Sequence, residues 1–129
     1  MIKKIIISGV LIIVFCCWSW NFVAGGGLQN YLDKHPGFKW TPKIQYYLGE
    51  LYFSFRKFAK ATECFERIME RYSKETNKLV EVHYKLICCY EKTLAQKKAE
   101  EEIKLFLERY PENEYTLLVK KKLEILGKW

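Results

Sequence analysis

An all-α chain is predicted, with an N-terminal membrane or signal helix followed by a short solenoid of two helical hairpins and a capping helix. Three observations predict it. The sequence matches itself at an offset of 38 residues. From residue 42 to residue 127 the apolar residues recur at steps of three and four, and strand-type alternation is missing. The first two dozen residues are almost wholly apolar behind a double lysine.

The N-terminal segment, residues 1–24, reads as an address. Lys3 and Lys4 form a short basic start, and residues 5–24 are long enough for a helix of about 30 Å, the thickness of a bilayer core. Trp18 and Trp20 suit the interfacial belt at the far end. Positive charge lies only before the segment, so the lysines are expected to stay cytoplasmic and the rest to be translocated. Two fates fit: a single-pass anchor, or a signal peptide removed near Val23-Ala24-Gly25, where small residues stand. Lipoprotein-type modification of Cys16 or Cys17 fits less well, because Phe15 rather than a small residue precedes Cys16.

Residues 25–41 are a glycine-rich hinge and connector. Gly25-Gly26-Gly27 lets the chain turn freely. Residues 28–32 have room for one or two helical turns before His35-Pro36-Gly37 stops them. Thr41-Pro42 then reads as a helix start, the threonine hydroxyl capping free N–H groups and the proline suiting the first helical position.

Five helices follow. The first, about 42–55, carries Ile44, Tyr47, Leu48, Leu51, Tyr52 and Phe55, and breaks near Arg56-Lys57. The second, about 58–72, carries Phe58, Ala61, Phe65, Ile68, Met69 and Tyr72; a polar loop over 73–77 ends the first unit. The third, about 79–93, carries Val82, Leu86, Cys89 and Tyr90, and the fourth, about 95–109, carries Ala95, Ala99, Ile103, Phe106 and Leu107 before Pro111. Asn113 is expected to cap a fifth helix, about 114–127, closed by Gly127.

At the offset of 38, Tyr46 pairs with Tyr84, Leu48 with Leu86, Tyr52 with Tyr90, Lys60-Ala61 with Lys98-Ala99, Glu63 with Glu101, and Glu70-Arg71-Tyr72 with Glu108-Arg109-Tyr110. Those are nine identities between residues 46 and 72. Unrelated segments of this composition would give about two. A helical unit used twice cannot bury its apolar stripe alone and does so by stacking. Ala61 and Ala99 are the small residues that let the two helices of a hairpin approach to about 8 Å.

The same residues resemble the tetratricopeptide repeat, a helix-turn-helix with Leu-Gly-x-x-Tyr in its first helix, alanine and an aromatic in its second, and a closing proline. The first copy reads Leu48-Gly49-Glu50-Leu51-Tyr52, then Phe58, Ala61 and Phe65; the second reads Leu86-Ile87-Cys88-Cys89-Tyr90, then Ala99, Ile103 and Pro111. Ile87 replaces the contact glycine, Ser73 the first closing proline, and Arg56 and Leu94 stand where a turn glycine is common. The resemblance implies repeats over about 42–75 and 80–113 with a capping helix over 114–127. The phrases Phe65-Glu-Arg-Ile-Met-Glu-Arg-Tyr72 and Phe106-Leu-Glu-Arg-Tyr-Pro-Glu-Asn113 are similar to exported bacterial repeat proteins of the cell envelope. Examples are the lipoprotein of the outer-membrane β-barrel assembly machinery and the periplasmic coordinator associated with the Tol–Pal system. Such proteins act as docking scaffolds.

In this fold the first helix of each hairpin lines a concave face. Periodicity assigns Lys43, Tyr46, Glu50 and Phe53 to it from the first repeat, and Glu81, Tyr84, Cys88 and Glu91 from the second. Tyr46 and Tyr84 are equivalent, and tyrosine offers a binding surface rigid area and a hydroxyl. They serve equally well as packing residues. The expected ligand is a protein or a peptide of about ten residues; the expected function is a non-enzymatic envelope scaffold without turnover.

No carboxylate, serine, lysine or histidine stands in a catalytic spacing, and no phosphate-cradling glycine loop is present, so no cofactor is expected. His83 reads as a packing or surface residue. The net charge of +7 comes from cations that, away from the termini, interleave with glutamates, as on a solvated helix face, so nucleic acid is not the expected partner. The five cysteines have no metal-ligand spacing and read as small hydrophobes. A disulfide from Cys64 to Cys88 or Cys89 stays open if the domain is exported. Two alternatives remain: a self-associating envelope protein, and a thiol-based redox or metal accessory using Cys64, Cys88 and Cys89.

Overall fold

A computed structural model of the protein describes residues 1–74 and 76–126. Among them every regular element is an α-helix: α1 (Ile2–Ala24), α2 (Gly27–Lys34), α3 (Thr41–Ser54), α4 (Phe58–Arg71), α5 (Leu79–Lys92), α6 (Gln96–Arg109) and α7 (Thr116–Leu126). The chain divides into two compact units, Met1–Thr41 and Pro42–Trp129.

In the first unit, α1 has no buried residue and is long and apolar enough to cross a membrane or to act as a signal sequence. Phe15, Trp18 and Phe22 stack along one side of it, with ring centroids 6.4 and 6.1 Å apart. The hinge is a tight turn in which the Gly25 N–H donates to the Asn21 carbonyl at 2.8 Å. Gly26 has φ 81°, a conformation that only glycine adopts readily. The connector holds two helical turns, α2. After it the Thr41 hydroxyl donates to the His35 carbonyl at 2.7 Å, so it ties down the incoming loop instead of capping the helix ahead of it.

In the second unit the offset of 38 reappears in the backbone. Helices α3 and α5 start and end 38 residues apart, and so do α4 and α6. Both hairpin turns use one left-handed residue, Arg56 (φ 57°) and Leu94 (φ 59°). The bonds closing them also correspond: Lys57 N–H donates to Tyr52 at 2.8 Å, and Ala95 N–H to Tyr90 at 2.9 Å. Outside each hairpin a lysine lies over the equivalent tyrosine, Lys60 over Tyr52 at 5.5 Å and Lys98 over Tyr90 at 5.8 Å.

Close approach fixes the packing. A Cβ at Gly49 would stand 2.7 Å from the Phe65 ring, so α3 and α4 touch where only glycine fits. Ala61 and Ala99 are fully buried. Ile87 fills the place of Gly49 in the second hairpin and belongs to a core cluster with Ile103, Phe106 and Val119. His83 is buried as well, bonding Glu102 with its Nε2 and meeting the edges of Phe106 and Tyr110.

The helix α7 begins on a connector equivalent to the one before α3. Thr116 N–H donates to Asn113 at 3.0 Å and its hydroxyl to Tyr110 at 2.8 Å, as Thr41 does to Phe38 and His35. Asn113, expected to cap the helix itself, instead closes the turn ahead of it, its side chain accepting from Tyr115 N–H at 3.1 Å. Gly127, the expected end of α7, and Glu75 in the inter-repeat loop lie outside the described residues.

Candidate interaction surface

The eight residues assigned to the concave face lie on α3 and α5, the first helices of the two hairpins. Lys43 is exposed, Tyr46 is buried, and the other six are half-buried. Two lysines that periodicity did not single out draw five of the eight together. Lys85, on α5, pairs with Glu50 of α3, lies 3.5 Å from Glu81, and sits 5.6 Å above the Phe53 ring. Lys122, on α7, bonds Glu91 at 3.0 Å and sits 6.0 Å from the Tyr84 ring. Each lysine reaches back from its own helix to the preceding first helix.

The two tyrosines take packing positions. Tyr46 is 8% exposed. Burial, the Glu50 charge and hydrogen bonding to Glu81 push its hydroxyl far above the ordinary phenol value. Tyr84 stacks on Tyr115 with ring centroids 4.6 Å apart. Both therefore hold neighbouring helices together, which is what an aromatic of this size does when half or more of it is covered. Lys122 is lowered by burial, but the Glu91 hydrogen bond and charge and the neighbouring Cys88 outweigh that and raise it, so it stays charged.

Beside this ladder of lysines lies a cavity of about 530 Å³. Phe53 and Phe58, edge to face at 5.5 Å, supply an apolar wall. Cys88, Ser54 and the Lys122–Glu91 pair complete it, and Arg56 and Lys92 add exposed cations. Of the assigned residues, Phe53, Cys88 and Glu91 line this cavity; Lys43, Tyr46, Glu50, Glu81 and Tyr84 do not. The left-handed turn at Arg56 brings that side chain to the cavity. A cavity of this size, with aromatic walls and cations at hand, suits one large side chain of a partner with a carboxylate close by.

The thiols are poorly placed for chemistry. All five cysteines are free, so the Cys64 to Cys88 or Cys89 disulfide is not formed. Burial pushes the Cys88 thiol up and the Cys89 thiol up to about 12. Thiolate, the reactive form, is then scarce at neutral pH. Among the described residues no three histidine, cysteine, aspartate or glutamate side chains converge on one point.

The missed lysines had a signal in the sequence. Lys85 and Lys122 lie at equivalent places in α5 and α7, with Val82 and Val119 three residues before them. Extending the self-match to a third helix, at an offset of 37 in place of 38, exposes them. The connector equivalence is legible in the same way, since Pro36 and Thr41 match Pro111 and Thr116. Comparison with protein-family models and with curated proteins returns no match for this chain.

Proposed function

We propose that this chain is a membrane-anchored or exported scaffold of the tetratricopeptide-repeat type, binding one protein partner in a bacterial cell envelope without turnover. The single observation that carries this is the cavity of about 530 Å³ beside α3 and α5, apolar at Phe53 and Phe58 and cationic at Arg56 and Lys92. Three of the eight residues assigned to a concave face, Phe53, Cys88 and Glu91, line it, and repeats of this type bind partners through such a face. Low thiolate content at neutral pH speaks against the thiol-based alternative.

The test is crosslinking in intact membranes with the natural chain, Ser54→Trp and Lys92→Glu. Ser54 is exposed at the cavity, so tryptophan there fills the space without entering the core. One dominant protein adduct that is lost in both variants supports the reading. Adducts unchanged in both variants sink it.

Self-association is the second reading, favoured by Leu117, Leu118 and Ile125, which α7 leaves 45–63% exposed. It predicts a dimer of the full chain by sedimentation in detergent and a monomer for Leu118→Glu.

A further inference from the structure

Outside α1, the exposed aromatic side chains among the described residues are confined to one stretch of chain. They are Tyr31, Phe38, Trp40, Tyr47 and Phe55, each at least 50% exposed. Beyond Phe55 the exposed large hydrophobic residues among the described ones are Leu94, Leu105, Leu117, Leu118 and Ile125, with no aromatic among them.

Charge is segregated at the same boundary. Between Gly25 and Lys60 the cations Lys34, Lys39, Lys43, Arg56, Lys57 and Lys60 meet only Asp33 and Glu50. From residue 61 to residue 126 cations and anions are equal in number. The positive excess outside the termini thus sits in the third of the chain that follows the apolar helix, which corrects the expectation that positive charge lies only before that helix.

The repeat shows that α3 differs from α5 here. Tyr47 and Leu51 share one side of α3, and Phe55, the residue just after it, continues their step of four and is followed at once by Arg56 and Lys57. Their equivalents on α5 are Lys85, Cys89 and Thr93. Cys89 is fully buried and Lys85 is engaged with α3, so on α5 this side packs against the preceding hairpin. On α3 the same side carries aromatics at 56–58% exposure.

We propose that these exposed aromatic and cationic residues between Gly25 and Lys60 dock on an anionic lipid surface, that of the bilayer holding α1. This rests on the membrane reading of α1. Amphipathic aromatic rings favour the headgroup level, where one end is apolar and the other wet. Cations next to a membrane segment are drawn to anionic headgroups. The connector and the start of the second unit each bring a share of both. Continuity with α1 holds them near the bilayer: Tyr31 follows Ala24 by seven residues and Tyr47 by twenty-three.

The experiment uses the full chain in vesicles of phosphatidylcholine, with or without phosphatidylglycerol. A benzophenone amino acid replaces Tyr47 or Phe55, and Leu94 or Leu118 as controls; irradiation is followed by mass spectrometry of the adducts. Lipid adducts at 47 and 55 are expected at several times the yield of 94 and 118, and higher with the anionic lipid. Arg56→Gln/Lys57→Gln should cut the adduct at 47 severalfold in anionic vesicles and leave it unchanged in neutral ones. Equal yields at all four positions, or protein adducts in place of lipid at 47 and 55, overturn the proposal. Alkaline carbonate extraction of the same vesicles reads α1 alone. A retained chain without lipid adducts overturns docking and leaves the anchor standing, whereas an extracted chain that still gives them overturns the anchor.

Discussion

At the scale of single residues, the departures from the repeat pattern carry the most information. Arg56 and Leu94 hold left-handed conformations that glycine adopts without penalty. Leu94 is 84% exposed, so little packing is lost on shortening it. Leu94→Gly should raise stability by roughly 1 kcal/mol, read as a higher Tm in detergent. The sequence showed that glycine was missing at these two places; it did not show that the turn geometry survives without it, because the hairpin packing enforces the conformation. Cys89 gives a pH dependence. Burial pushes its thiol up from the ordinary value of 9.0, which the unfolded chain keeps, to about 12 in the folded one. The folded state keeps a proton that the unfolded state loses, so the contribution is intact below pH 9 and is lost as pH rises from 9 to 12. Tyr52, Tyr84 and Tyr90 are raised as well, first of all by burial, and add to the decline above pH 10. Denaturation curves at pH 8, 9 and 10 should show stability falling, and Cys89→Ala should fall less steeply between 9 and 10.

At the scale of helices, periodicity located α3 to α7. Predicted and observed ends differ by at most two residues from α3 to the start of α7, because the apolar step of three and four is strong there and Gly, Pro and Asn mark the breaks. The surface was less legible. A face assigned by periodicity alone says which side a residue takes and not what reaches over to it from the next helix. That is why Tyr46 and Tyr84 were as open to packing as to binding, and why Lys85 and Lys122 went unnoticed. Lys85 is the more heavily engaged of the two. Its side chain is 18% exposed, and Glu50 and Glu81 are each under a third exposed. Lys85→Met should destabilise by about 1–3 kcal/mol, since two half-buried carboxylates lose their cation beside the buried Tyr46. Glu50→Gln in the Lys85→Met background should recover part of that. Equal Tm values for the natural chain and Lys85→Met would show that the pair is solvated and contributes nothing.

At the scale of the whole chain, bulk numbers hid an asymmetry. A net charge of +7 with interleaved lysines and glutamates reads as a solvated face throughout. Counted by segment, the excess concentrates ahead of residue 61, where the exposed aromatics also lie. The charge count was available in the sequence from the start. The exposure of Tyr47 and Phe55 was not, since both stood among the apolar positions expected to be covered; only the packing of the hairpins shows which side of α3 is left open.

The matched connectors before α3 and α7 bear on how such a chain can change length. Pro36 to Thr41 and Pro111 to Thr116 make the same two threonine bonds and each leads into a first helix. The chain that arrives at Tyr110 therefore meets the same pair of threonine bonds as the chain that arrives at His35. A tandem duplication of residues 36–110, joined after Tyr110, puts Pro36 where Pro111 stands and so reuses that pair of bonds at the junction. Growth by whole pairs of hairpins is then open to the gene through one recombination event.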